Sequence, residues 1–341
     1  MALVVRPRRP DHWGMSEGTT PTTNRIDWLL FILLGFFWGS SYLFIKIGVD
    51  AGLEPFTLVS LRLLFGFVLL AIVVAVAREP LPREPRILGH LAVMGLFSVA
   101  LPFGLITWAE QSVDSSLAAV LTAAVPLFVI PFAALVLPAE RITINGILGV
   151  AIGLVGVAII VGFDAESLAG SSLPAELALI GAAASYAIGG VYARRNASGL
   201  RPMIPAVFQV GYALVMTSVL ALALERPWER GIAPEALFAV IWLGLLGSGA
   251  AYLVFFRLLG RWGATRTSLV AYLLPIWGIV LGALVLSETI DSRLLIGTLL
   301  VIGGIALVNM HGRLPFRRQP RAEEPVASRS QAAEPHHGDL G

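Results

Sequence analysis

The sequence predicts an all-α integral membrane protein with ten transmembrane helices arranged as two inverted five-helix repeats. Three observations lead to this fold class. The chain is 57% hydrophobic and 13% charged, whereas a soluble domain is about half apolar and about a quarter charged. Ten apolar runs follow one another, each close to the roughly 20 residues that a helix needs to cross a bilayer. The last five runs repeat features of the first five.

The ten apolar runs are predicted to be helices and not the strands of a membrane barrel. Barrel strands alternate polar and apolar residues, while these runs are continuously apolar and rich in glycine and alanine. A chain of this size cannot bury ten such runs in the core of a soluble domain. The runs cover residues 28–49, 56–77, 87–109, 116–137, 142–162, 175–193, 204–224, 235–257, 266–287 and 292–311.

Basic residues predict the orientation of the helices. If the N-terminus is placed in the cytoplasm, 19 of the 24 lysine and arginine residues fall in cytoplasmic loops and tails. Three fall on the outer side, and the remaining two, Lys46 and Arg62, lie inside runs. By the positive-inside rule, both termini are predicted to face the cytoplasm. The expected location is the cytoplasmic membrane, the inner membrane of a bacterial-type cell.

The repeat becomes visible when the chain is aligned with itself at an offset of about 148 residues. The longest match pairs the segment that starts at Pro126 (PLFVIPFAALVLPAERI) with the segment that starts at Pro275 (PIWGIVLGALVLSETI). Because five is an odd number, the two copies must have opposite orientations across the membrane, as in many secondary transporters. The predicted organisation is a disordered tail at 1–26, a first repeat at 27–163, an outer linker at 164–174, a second repeat at 175–311 and a disordered tail at 312–341.

Three pieces of sequence carry a resemblance to a known family. The first is the segment from Trp38 to Lys46, WGSSYLFIK. The second combines Pro126, Glu140, Gly149 and Gly156, and the third is its echo in the second half, Pro275, Glu288, Gly297 and Gly304. With these pieces in this order, residues 26 to 310 resemble the drug/metabolite transporter (DMT) superfamily, EamA type. The resemblance implies a ten-helix carrier that moves small metabolites, often outward, without ATP.

The resemblance does not fix the substrate, since members carry amino acids, nucleotide-like compounds, sugar derivatives or drugs. We therefore expect a secondary transporter that exports small metabolites, such as amino acids, related compounds or drugs, by alternating access. The alternative is a non-transporting membrane sensor or assembly subunit. The expected partners are a small-molecule substrate and the lipid bilayer, without nucleic acid, and the resemblance also allows a homodimer.

Polar and aromatic side chains inside the apolar runs are candidates to line a central substrate cavity. Those on the first helix share one face with Gly35 and Gly39, a pattern that also suits close helix packing. The candidate substrate-binding residues are Trp38, Tyr42, Lys46, Arg62, Trp108, Tyr186, Gln209, Tyr212, Tyr252 and Tyr272.

Lys46 and Arg62 are the two basic residues within the runs. Lys46, the only lysine in the chain, lies about 5 Å from the outer end of its helix. It either contacts substrate or reaches the interface and an acidic partner. Arg62 lies about 9 Å below the start of the second helix, and its partner is either a substrate carboxylate or phosphate, or an acidic residue of the outer side. The available acidic residues are Asp50, Glu54, Glu110 and Asp114.

Prolines, acidic residues and glycines recur at matching places in the two halves. Pro126 and Pro275 are predicted to interrupt helices four and nine, either for gating or as static kinks. Glu140 and Glu288 precede the last helix of each half, where free N–H groups stabilise a carboxylate, so we expect a structural role. Close helix packing is predicted at Gly149, Gly156, Gly297 and Gly304.

The sequence argues against an enzyme. It contains no cysteine and no P-loop, and no acidic residue or histidine lies deep in a run. Serines inside the runs therefore have no histidine or aspartate at their depth to activate them. No catalytic residue, cofactor or metal site is expected.

Overall fold

A computed structural model of the chain describes residues 24–137, 143–162, 172–197, 199–229 and 231–309. Across these ranges the regular structure is helical, and ten helices are long and apolar enough to cross a membrane. The predicted all-α fold with ten spans is therefore confirmed. In chain order the helices are α1 (Arg25–Asp50), α2 (Pro55–Val76), α3 (Pro85–Ala109), α4 (Ser115–Val136), α5 (Ile144–Val161), α6 (Leu173–Asn196), α7 (Met203–Glu225), α8 (Pro234–Gly263), α9 (Ser268–Val285) and α10 (Ser292–Asn309).

Capping side chains and prolines set the starts of the helices. Asn24 Oδ1 accepts a hydrogen bond from Ile26 N (3.4 Å), so α1 begins inside the segment predicted as a tail. Thr143 and Asp291 cap α5 and α10 in the same way. Proline stands in the first turn of α2, α3, α6 and α8, where its missing N–H has no intrahelical partner to lose. Most of the predicted tails and linker, together with Glu140, lies outside the described residues.

The last helices of the two halves, α5 and α10, pack against each other along four glycines, which we call the glycine seam: Gly149, Gly156, Gly297 and Gly304. A Cβ at Gly149 would lie 2.5 Å from Gly304 O, and a Cβ at Gly156 would lie 2.7 Å from Gly297 O. Only glycine allows two helix backbones to approach so closely. Because the seam is used within one chain, a homodimer through α5 and α10 would have to use their opposite faces, where Leu148 and Leu299 are exposed.

Two helices contain wider π-helical turns at equivalent places in the two halves. These turns cover Leu96–Ala100 in α3 and Leu243–Ala250 in α8, and such turns are frequent at functional sites. Helix α2 approaches the turn in α8 closely, because a Cβ at Gly66 would lie 2.8 Å from Ser248 Cβ. The contact brings polar side chains of the two halves together in the middle of the bundle.

The matched prolines lie at changes of helix geometry. Helix α4 has a turn at Ala123 and Ala124, immediately before the segment that contains Pro126. Helix α9 starts with a 3-10 segment, Ser268–Tyr272, and Pro275 stands in the first turn of the α-helical part that follows. Pro126 therefore follows a break in its helix, and Pro275 marks a transition between helix types. A gating role for either proline stays a prediction.

The outside of the bundle is apolar. Large side chains such as Val76, Leu135 and Leu299 are more than 70% exposed along the helices, and such a surface requires lipid around it. The protein is therefore an integral membrane protein surrounded by a bilayer.

Candidate functional site

The polar centre of the bundle is built around Arg62 of α2. Its side chain is buried, at 3% exposure. Its Nη2 donates a hydrogen bond to Ser248 Oγ in the π turn of α8 (3.3 Å), and its Cζ lies 4.1 Å from the ring centroid of Phe103 on α3. Within the part of the chain that the structure describes, the Nε atom has no hydrogen-bond partner. A buried guanidinium thus meets a hydroxyl and an aromatic ring, which are both uncharged.

Three tyrosines that were predicted to line a cavity lie in the neighbourhood of this guanidinium. Tyr42, Tyr186 and Tyr252 all lie close enough to Arg62 to interact with it electrostatically. The hydroxyl groups of Tyr42 and Thr122 are 2.6 Å apart, and Thr122 donates onward to Ala118 O. Tyr42 is therefore the donor in this pair. The tyrosines come from α1, α6 and α8, so both halves contribute to the centre.

Trp38 borders the same region. Its ring centroid lies 6.4 Å from that of Tyr252, with the rings at 78°, which is a favourable edge-to-face arrangement. The predicted residues Trp38, Tyr42, Arg62, Tyr186 and Tyr252 are thus brought together, and we call them, with Phe103 and Ser248, the Arg62 site.

The other predicted binding residues make different contacts. Trp108 is 47% exposed on α3, as is common for tryptophan at a membrane interface. Tyr272 accepts a hydrogen bond from Asn309 at the end of α10 (2.8 Å). Tyr212 lines a cavity of about 700 Å³ between α2 and α7, together with Arg78 and Phe208. That cavity is lined mainly by apolar side chains and does not include Arg62. Gln209 is half-buried on α7, one turn before Tyr212.

Lys46, near the end of α1, forms an ion pair and a hydrogen bond within the protein. Its ammonium group lies 3.1 Å from Asp50 Oδ1 and donates to Glu110 O at the end of α3 (2.9 Å). A cation is favourable there because the C-terminus of a helix carries partial negative charge. The structure thus gives Lys46 an ion-pair partner, and a contact with substrate stays a prediction.

Glu110 is the least expected group in this region. It immediately follows α3, its side chain is fully buried, and neither carboxyl oxygen has a hydrogen-bond partner among the described residues. Burial raises the pKa of the Glu110 carboxyl well above its usual range, while the charge of Lys46 lowers it less strongly. An ionised carboxylate without hydrogen bonds would be very unfavourable here, so the buried form is the neutral acid.

The raised pKa of Glu110 predicts a pH-dependent cost to stability. Below the pKa of the unfolded chain, about 4.3, both states hold the proton and the cost vanishes. As the pH rises above that value, the unfolded state loses the proton while the folded state retains it, so the wild type loses stability. Relative to the wild type, Glu110→Gln should therefore gain stability as the pH rises above about 4.3, measured by thermal unfolding in detergent. Glu235→Gln, at an exposed acid, serves as the control, and a pH-independent difference for Glu110→Gln would contradict a neutral Glu110.

Two carboxylates of the second half cap helices of the first half. Glu288 accepts hydrogen bonds from Ser115 N (2.8 Å), Ser115 Oγ (2.7 Å) and Ser116 N (3.0 Å) at the start of α4. Glu225 accepts from Phe56 N (2.7 Å) and from Thr57 at the start of α2. Glu288 precedes the last helix, as the sequence indicates, but its carboxylate caps α4, while Asp291 caps α10. Ser287 has a φ of 56°, so the chain reverses there and directs the carboxylate to α4.

Removal of the Glu288 charge should loosen the contact between the halves. Glu288→Gln keeps one oxygen acceptor but presents an NH₂ group to one of the two backbone N–H donors, Ser115 N or Ser116 N. We expect a loss of about 1.5–3 kcal/mol, as for other hydrogen bonds to charged groups, measured by thermal unfolding. Glu229→Gln is the matched control, because its ion pair with Arg226 is exposed and should contribute less than about 1 kcal/mol. Equal effects of the two changes would argue against the capping role.

Sequence reasoning missed several members of these contacts. Phe103 and Ser248 are ordinary residues of apolar helices, and Glu225 lies at the end of one. The only local signal was indirect: the serine and glycines of the LGLLGSGA segment mark the π turn that carries Ser248. Within the described ranges, no cluster of three His, Cys, Asp or Glu residues has a geometry that suits a metal ion.

Comparison with known proteins gives consistent matches. The model of the EamA-like transporter family matches the chain twice, over residues 26–162 and 173–310. The uncharacterized inner membrane transporter YedA of Escherichia coli K12 is 30% identical over 285 residues, which are 83% of this chain and 90% of that protein. The uncharacterized transporter YoaV of Bacillus subtilis is 26% identical over 272 residues, covering 79% and 91% of the two chains.

A solved crystal structure has the same fold. It superposes with a TM-score of 0.60 at 20% sequence identity and covers 84% of this chain and 98% of the solved one. At this identity the similarity supports the arrangement of helices and says nothing of a ligand.

Proposed function

The chain belongs to the EamA-like transporter family and is therefore a membrane transporter; from this premise we propose that it exports small metabolites across the cytoplasmic membrane by alternating access. The Arg62 site would hold the substrate. The observation that carries this proposal is a buried, unpaired guanidinium at a centre to which both halves contribute. An ionisable group inside a membrane bundle is costly, and it is found mainly where a substrate or ion passes.

The pairing of similar features in the two halves supports alternating access. The family model matches each group of five helices once, the π turns of α3 and α8 occupy equivalent places, and the glycine seam joins α5 to α10. With an odd number of helices in each repeat, the two copies would have opposite orientations, and each could adopt the conformation of the other. The distribution of arginines supports cytoplasmic termini.

The proposal is tested by untargeted mass spectrometry of the medium of cells that overexpress the protein or carry an empty vector. An exporter should enrich at least one metabolite outside the cell, at equal cell density and with the protein confirmed in the membrane. Faster depletion of a compound from the medium would replace export by import. No change in either direction would favour the alternative of a membrane sensor or assembly subunit.

A further inference from the structure

Arg62 has no ion-pair partner among the residues that the structure describes. The described residues include ion pairs of Lys46, Arg201, Arg226 and Arg261, but none of Arg62. A guanidinium has five N–H donors, and one of them bonds to Ser248. A buried charge usually has an opposite charge beside it, because desolvation without such a partner costs several kcal/mol. The site therefore needs an anion that the described part of the chain does not supply.

The surroundings of Arg62 favour a particular kind of anion. A planar guanidinium binds a carboxylate or phosphate through two parallel hydrogen bonds. Phe103 covers one face of the guanidinium, and Tyr42, Tyr186 and Tyr252 are close to it. These rings offer apolar surface and hydroxyl groups to the body of a small organic molecule.

Glu110 is the second buried ionisable group of the region and has the opposite sign. Its two unpartnered oxygens are fully buried, and it lies close enough to Arg62 for the two groups to interact electrostatically. The other charged groups near Glu110 are Lys46 and Asp50 of α1 and Glu288 of the α9–α10 connection. Lys46 already bonds to Asp50 and to the backbone oxygen of Glu110. The carboxyl group is thus left without a direct partner.

We propose that the cargo is a small organic anion whose carboxylate or phosphate binds Arg62, and that Glu110 carries a proton together with it. The inference rests on the proposed transport function. A second negative charge near Arg62 and an ionised Glu110 repel each other, so anion binding and protonation of Glu110 favour each other. When the site opens to release the anion, water reaches the Glu110 carboxyl and takes up its proton. One anion and one proton then move in the same direction without net charge.

The protonation of Glu110 is tested first, in a way that does not depend on transport. Dicyclohexylcarbodiimide modifies protonated carboxyl groups in apolar surroundings, and peptide mass spectrometry locates the adduct. Glu110 should be modified near neutral pH, with the yield falling as the pH rises. In Arg62→Gln the modification should persist to higher pH, because loss of the neighbouring cation makes the carboxyl hold its proton more tightly. Arg257→Gln, at an exposed arginine of α8, should leave the profile unchanged. An unmodified Glu110, or equal profiles in wild type and Arg62→Gln, would overturn the coupling.

The class of cargo is tested with the compounds that the wild type enriches in the medium. They should carry a carboxylate, phosphate or sulfonate group. Their enrichment should fall by about 10- to 100-fold in Arg62→Gln, the range expected for losing a hydrogen bond to a charged group, and less in Arg62→Lys. Export of neutral or cationic compounds alone would reject the anion while leaving the transporter intact. No enrichment by the wild type would instead reject the transport function itself.

The coupling between proton and anion transport is tested with the variant Glu110→Gln. This variant keeps a neutral, isosteric side chain, so it should still bind the anion. Its transport rate should no longer depend on the pH of the compartment from which the anion is taken, whereas the wild-type rate should rise as that compartment is acidified. An unchanged pH profile in Glu110→Gln would assign the proton to another group and overturn the proposal.

Discussion

Replacement of Gly304 by alanine is expected to destabilise the protein strongly. A Cβ at Gly304 would lie 2.5 Å from Gly149 O, 2.7 Å from Gly153 N and 2.9 Å from Gly153 Cα. All three atoms belong to the backbone of α5, so no side-chain rotation relieves the clash. Helix α5 must shift as a whole. We expect a loss of about 3 kcal/mol, the upper part of the usual range for overpacking, together with a lower yield in the membrane.

The neighbouring residue provides the control for this experiment. Gly303 is exposed, and a Cβ placed there would meet no atom within 4 Å. Gly303→Ala should therefore leave the thermal unfolding midpoint unchanged or raise it slightly, because alanine favours a helix over glycine. If the two variants unfolded at the same temperature, α5 and α10 would not be in the close contact described here.

A disulfide between α1 and α8 is expected to abolish transport reversibly. A Cβ at Gly48 would lie 3.8 Å from Ala239 Cβ, which is about the mean separation in natural disulfides. The new side chain would also displace Leu58 Cδ1, the flexible end of a side chain. The two positions belong to different halves and lie near the same end of the bundle, the outer end in the predicted orientation. If this end must open for alternating access, oxidised Gly48→Cys/Ala239→Cys should lose nearly all transport.

The absence of native cysteine makes this result easy to interpret. The chain contains none, so only the introduced pair can form a disulfide within it. Reduction should restore transport, and each single variant should be insensitive to oxidant. Transport at the wild-type rate by fully cross-linked protein would show that α1 and α8 do not separate at this point during the cycle.

The fold was predictable because lipid leaves few alternatives. An apolar run of about 20 residues must form a helix that satisfies its own backbone hydrogen bonds, so the number and type of elements follow from hydrophobicity. The ends of the helices were predicted less accurately. The eighth run was predicted at 235–257, but α8 extends over Pro234–Gly263, since helix ends depend on caps and on contacts that hydrophobicity does not reveal.

The site was predictable only where a residue is unusual for a membrane. Arg62 stood out by its charge, but Ser248 and Phe103 did not, because their positions depend on contacts between α2, α3 and α8. Glu288 illustrates the limit of local rules. The rule that a carboxylate stabilises a helix N-terminus was correct as chemistry. The helix it caps was set by the turn at Ser287, which the sequence did not disclose.

The glycine seam has a consequence for how the molecule can move. Two helices whose backbones touch along several turns cannot slide or separate without breaking many contacts at once. The pair α5–α10, with one helix from each half, would therefore stay together as a rigid unit. During the conformational cycle, the other eight helices would then move relative to this rigid pair. Amide hydrogens of α5 and α10 should be the slowest in the protein to exchange with deuterium.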